Sequence, residues 1–164
     1  MKKQTTQQLK RAILPAGKKL LAALLITATF ATAAFAGPAD VNAKALSNLR
    51  YEFKYAKDVK WTVTPEFTHA NFTINGENME VAYTNDGDLI GISRLINTDE
   101  LPARAQKKIA NDYAGFTTSE AIEYSNAENE TSFFVSLVKD DKKIILQVES
   151  NGGVSVFKTA TLKK

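Results

Sequence analysis

From Lys57 onward the chain is built from short runs in which apolar and polar side chains alternate, and each run ends at a turn sequence. Val59, Trp61 and Val63 alternate, and Pro65-Glu66 turns the chain. Ala70, Phe72 and Ile74 alternate next, followed by Asn75-Gly76, a strong two-residue hairpin signal because both turn positions need positive φ. Met79, Val81 and Tyr83 form a third run, Asn85-Asp86-Gly87-Asp88 turns again, and Leu89–Ile96 is the fourth. A period of two sends alternate side chains to opposite faces, so the pattern predicts an antiparallel sheet with one buried and one wetter face.

The same order occurs twice. Before the first four strands, Leu46, Leu49 and Phe53 recur at helical spacing, with Asp40 placed to cap the start. After them, Leu101, Ala105, Ile109 and Tyr113 lie four apart on one helical face. Pro102 suits that helix's first turn, and Gly115 its left-handed C-terminal cap. Four more strand patterns follow at Thr118–Tyr124, Thr131–Val138, Lys143–Glu149 and Val154–Ala160. The expected fold class is α+β: two repeated units, each a helix plus a four-stranded antiparallel meander, with about eight strands and two main helices. The units span about 40–97 and 98–160. One unit of about sixty residues buries too little surface to be stable alone, so residues 37–164 are expected to form a single domain.

Residues 1–36 read differently. Lys2, Lys3, Lys10, Arg11, Lys18 and Lys19 precede an apolar run from Leu20, and Ala34-Phe35-Ala36 supplies small residues at −3 and −1. This is the three-part pattern of a secretory signal, with cleavage expected after Ala36. Thr27, Thr29 and Thr32 weaken the run as a membrane anchor, so the mature form is expected not to be membrane-embedded but exported, to the periplasm or the medium. Removing the leader's six basic residues from the chain's 21 leaves 15 against 18 acidic ones, a net charge of −3. That balance lacks the basic footprint of nucleic-acid binding.

The chain holds no Cys and one His. Thiolate chemistry and disulfides are excluded, and most zinc sites with them. His69 has no serine-centred motif to serve and is expected to be an exposed strand residue. Asp86-Gly87-Asp88 lacks the spacing of a calcium loop and reads as a turn, as does Asp140-Asp141. Glu77 with Glu80, or Glu128 with Glu130, would need to face each other across a sugar-binding cleft to act as a glycosidase pair, and nothing in the sequence indicates a cleft. Asn151-Gly152-Gly153 lacks the Lys-Ser/Thr ending of a phosphate loop. Asn71-Phe72-Thr73 and Asn129-Glu130-Thr131 match a glycosylation sequon short enough to arise by chance. No catalytic residue, metal ligand or cofactor is expected, and the chain is not read as an enzyme.

Phe53-Lys54-Tyr55-Ala56-Lys57-Asp58-Val59-Lys60-Trp61 resembles the F-x-x-A-x-x-V-x-W stretch of PepSY-like proteins, also described as β-lactamase-inhibitor-like. Leu101-Pro102, Ile109 and Tyr113-Ala114-Gly115-Phe116 resemble the start of that family's second unit, with Lys54 and Ala114 where proline is frequent. The resemblance covers roughly residues 41–160. It implies a secreted binding module without catalytic residues, with Phe53, Ala56, Val59 and Trp61 as packing positions. From strand parity, Phe67, Phe134 and Phe157 fall out of register with their apolar neighbours, which makes them the candidate protein-binding face. The expected function is a secreted or periplasmic non-catalytic binding or inhibitor-like module whose partner is an envelope or extracellular protein. The alternative is a periplasmic carrier of a lipid or other hydrophobic molecule, with its cavity between helix and sheet.

Overall fold

Each strand pairs with its neighbours in sequence; within β2–β5 and within β6–β9 short turns leave the chain no room for a crossover. The computed structural model describes residues 35–36 and 40–162. Its single sheet runs in sequence order, antiparallel throughout: β1 (Phe35–Ala36), β2 (Lys57–Val63), β3 (Thr68–Ile74), β4 (Glu77–Tyr83), β5 (Leu89–Leu95), β6 (Thr117–Asn126), β7 (Thr131–Lys139), β8 (Lys142–Glu149) and β9 (Val154–Thr161). Helix α1 (Ala43–Glu52) precedes β2, and α2 (Ala103–Asp112) precedes β6. The eight long strands and two helices are those expected. The ninth, two-residue strand lies inside the expected leader, where Phe35 pairs with Thr62 and Ala36 with Trp61. Residues 1–34 of that leader lie outside the described residues.

Register decides which side chains share a face. Trp61, Ala70, Val81 and Ile92 lie opposite one another across β2 to β5. Ala121, Val135 and Leu146 do so across β6 to β8. The first row packs on Ala45 and Leu49 of α1, and the second on Leu101 and on Ala105 of α2. Arg94 pairs with Glu123 across β5 and β6, which carries the parity over, so both helices cover the same face. At this junction the Arg94 guanidinium reaches Glu100 at 3.0 Å and Glu123 at 2.5 Å.

Local chemistry sets the helix ends. Asn42, not Asp40, caps α1: its side-chain oxygen accepts the Lys44 N–H at 2.8 Å, one position too late for Asp40 to reach. At the end of α2 the Tyr113 N–H donates to Ile109 O at 3.0 Å, and Gly115 takes the expected left-handed conformation, φ +87°. Hairpin turns press on both helices. A Cβ on Gly87 would sit 2.8 Å from Lys44 Cβ, and one on Gly152 would sit 2.9 Å from Arg104 Cβ. Glycine at these turns therefore lets the sheet ends close onto the first turn of each helix.

Candidate binding face

The other face of the sheet carries neither α1 nor α2. By parity it presents Thr62, His69, Asn71, Glu80, Ala82, Ser93, Leu95, Ile122, Tyr124, Phe134, Ser136 and Ile145. The sequence-predicted site residues fall on this side. Phe134 is absent from both helix-side cores, and its ring meets Phe157 at 5.2 Å and Tyr124 at 6.5 Å, both edge-to-face. Phe67 stands just before β3 with its ring 5.6 Å from that of His69. Four strand spacings separate β3 from β7, about 19 Å, so Phe67 and Phe134 belong to different patches.

Their exposure differs from expectation. Phe67 and Phe134 are each only 3% exposed, and Phe157 is half-buried. Alternation assigns a ring to a face; it carries nothing about how tightly the rings on that face pack. What is accessible instead is the Leu95 end of a register-aligned row in which Leu95 opposes Ile122 and Ile122 opposes the buried Phe134. Leu95 is 51% exposed, Ile122 is half-buried, and Phe157 flanks the row through Phe134.

Tyr124 shares this face by parity, though it was not among the rings expected there. Gly91 makes room for it: a Cβ there would lie 2.4 Å from Tyr124 Cε2. The phenol then donates to Ile90 O at 3.2 Å. The legible signal was the glycine, since a mid-strand glycine marks a close approach by another group.

Two titratable groups sit on this face. His69 is buried, not exposed as expected, with the tilted Phe67 ring 5.6 Å away and Thr62 and Ala82 flanking it in register. Its Nδ1 has no hydrogen-bond partner, and burial holds its pKa below the ordinary histidine value. Glu80 is half-buried between Asn71 and Ser93. Burial pushes its carboxyl up to about 7, the Asn71 side chain partly offsetting this and the Glu120 charge adding to it.

The remaining candidates are structural in their placement. Asp86, Gly87 and Asp88 form the turn beneath α1, with Asp88 ion-paired to Lys44. Glu77 stands exposed beside the Asn75-Gly76 turn. Glu128 and Glu130 are exposed in the β6–β7 connection, where the Glu130 carboxylate accepts from Asn126 Nδ2 at 2.9 Å. Asn151-Gly152-Gly153 closes the β8–β9 hairpin. Among the described residues no helix is long and apolar enough to cross a membrane.

No family model and no curated relative matches the chain. Solved structures do. A BLIP-like protein from Bacteroides fragilis superposes with a TM-score of 0.65 at 18% identity, covering 76% of this chain and 89% of its own. A Bacteroides eggerthii protein described as a candidate periplasmic protein gives 0.66 at 16%, covering 74% and 88%. A DUF2874 family protein from Bacteroides uniformis gives 0.65 at 15%, covering 74% and 89%. These structures bear out the BLIP-like part of the resemblance and leave the PepSY part unsupported. The chain has an α+β, BLIP-like fold.

Proposed function

We propose that this protein is an exported, non-catalytic binding module that engages a protein partner through the helix-free face of its sheet. The observation that carries the reading is the aligned row Leu95–Ile122–Phe134 with Phe157 beside it. Leu95 is exposed, Ile122 and Phe157 are half-buried, and both helices lie on the opposite side. Apolar and aromatic groups of this kind, set on a rigid sheet, provide contact area at low entropic cost. The BLIP-like fold is consistent with an inhibitor-type use of the surface, and a periplasmic description of one similar structure is consistent with export. The buried rings Phe67 and Phe134 support the face from beneath, while Leu95 and Phe157 contact the partner.

The two halves are also proposed to be copies of one unit. Gly87 and Gly152 support this, each pressing the backbone against the second residue of the preceding helix.

A pulldown from envelope extract should return one stoichiometric protein. Alanine at Leu95 or Phe157 should weaken its binding about 30-fold, the effect of losing roughly 2 kcal/mol at a hot spot. Tyr51→Ala, at an exposed site on α1, should leave binding unchanged. Loss of binding through Tyr51 with Leu95 and Phe157 neutral would place the interface on the helix side and refute the proposal.

A further inference from the structure

We infer that the second half of the molecule holds a separate small-ligand site, between α2 and the sheet, that takes a medium-chain carboxylic acid. The site does not depend on the helix-free face. A cleft of about 330 Å³ opens there, walled by Ile109, Tyr113 and Phe116 and floored by Leu101, Val135 and Leu137. That volume lies within the range of small-molecule sites, which are mostly apolar with few polar groups. No lining residue is charged.

The first half packs differently beside its helix. There Phe53, just after α1, closes on Phe72 of β3 with ring centroids 4.9 Å apart. Phe72 lies two residues beyond Ala70, a core residue of the first half. In the second half, the residue two beyond the core residue Val135 is Leu137, and the aromatic just after α2 is Tyr113. A leucine fills less space than a phenyl ring, and Tyr113 turns to an edge-to-face contact with Phe116 at 6.1 Å. The floor of Leu101, Val135 and Leu137 is apolar, while Thr98, Gln106 and Thr118 also line the cleft, so the part of a ligand that seats on the floor must bury hydrocarbon.

Charge at the mouth selects the other end of the ligand. Lys139 Nζ lies 5.8 Å from the centre of the Phe116 ring, and a Cβ on Gly115 would be 3.5 Å from it. Gly115 and Phe116 line the cleft, and the exposed Lys139, itself outside the lining, stands beside them. No salt bridge among the described residues engages it. The cleft lies at the C-terminal end of α2, where the Ile109 and Tyr113 carbonyls accept the Tyr113 and Phe116 N–H groups, each at 3.0 Å, and the Lys139 ammonium offsets the negative end of the helix dipole. A hydrocarbon chain ending in one negative charge matches both features. A neutral alkane leaves the ammonium unused, and a short polar anion leaves the apolar walls wet.

The test uses 11-(dansylamino)undecanoic acid as a fluorescent probe on the mature protein, displaced by hexanoate, octanoate, decanoate or 1-decanol. Decanoate should displace it, with affinity rising up to about fourfold per added methylene until the cleft is full. Lys139→Gln should weaken decanoate several-fold and leave decanol unchanged, and the difference should shrink at high salt. Leu137→Phe should abolish probe binding while circular dichroism shows a folded protein. If that variant fails to fold, the methylene slope and the Lys139→Gln contrast decide the matter alone. Absence of probe binding, a flat chain-length series, or decanol competing as well as decanoate in both backgrounds would overturn the assignment.

Discussion

Trp61→Ala tests whether the first-half core is as tightly closed as the structure has it. Trp61 is 6% exposed, and its ring lies 6.2 Å from that of Tyr83 within the cluster under α1. A buried tryptophan removes roughly 150–250 Å² from water, which at about 25 cal/mol per Å² corresponds to ~4–6 kcal/mol. A denatured chain that already buries part of this surface lowers the figure to ~3–5 kcal/mol, the range seen for large aromatic truncations in cores. Against a total of about 5–15 kcal/mol, the variant should lose roughly a fifth or more of its stability and melt roughly 10–20 °C lower. Urea denaturation followed by circular dichroism measures the loss. Because the chain has one tryptophan, native emission reports directly on this site and should be blue-shifted in the wild type. Emission at the water-exposed wavelength together with a loss below about 1 kcal/mol would refute the packing argument and make Trp61 a surface residue.

The other predictions use different parts of the fold. Glu80 has a folded pKa of about 7 against an ordinary 4.5, so the native state holds a proton the unfolded chain releases, and stability falls as pH rises from 4.5 to 7. Glu80→Gln should therefore gain stability relative to wild type across that window, by at most ~3 kcal/mol, and a pH-independent difference would contradict it. His69 acts oppositely: burial lowers its pKa, so its contribution is lost as pH falls through the folded value, and His69→Gln should flatten the acid side of the profile. Gly91→Ala should cost ~1–3 kcal/mol by driving a methyl into the Tyr124 ring, and Tyr124→Ala in the same chain should recover much of it; additive effects in a double-mutant cycle would disprove the contact. Intact-mass analysis of exported protein should show the chain beginning at Gly37, which also removes β1 and leaves β2 as the sheet edge; full-length chain in the membrane fraction would refute export by cleavage.

Much of the architecture was legible because each strand states its own face. Val59, Trp61 and Val63 or Ala70, Phe72 and Ile74 need no tertiary information to define a side. Asn75-Gly76 and Asn85-Asp86-Gly87-Asp88 define their turns locally. The cap on α1 was misread by two positions because Asp40 and Asn42 are both good caps, and only the backbone path past Val41 chooses between them. The cleft beside α2 was illegible for a different reason. It depends on Leu101, Val135 and Leu137 lying beneath the end of α2, which requires knowing which strand positions that helix covers.

The helix-free face shows where strand periodicity stops being informative. Parity separates Phe134 from Val135 without ambiguity, yet Phe134 and Leu95, which lie on the same face, are 3% and 51% exposed. What distinguishes them is lateral neighbours. Phe134 has Tyr124 on one side, laid flat because Gly91 lacks a side chain, and Phe157 on the other, brought inward where the β8–β9 register slips between Ile145 and Leu146. Leu95 lies at the end of β5, with Ile122 opposite it. A ring held on both sides resists rotamer changes, so the buried Phe134 holds Phe157 in place for whatever meets it. Truncating Phe134 should consequently lower stability and binding together. Truncating Leu95 should lower binding alone, and that divergence separates support from contact on one continuous surface.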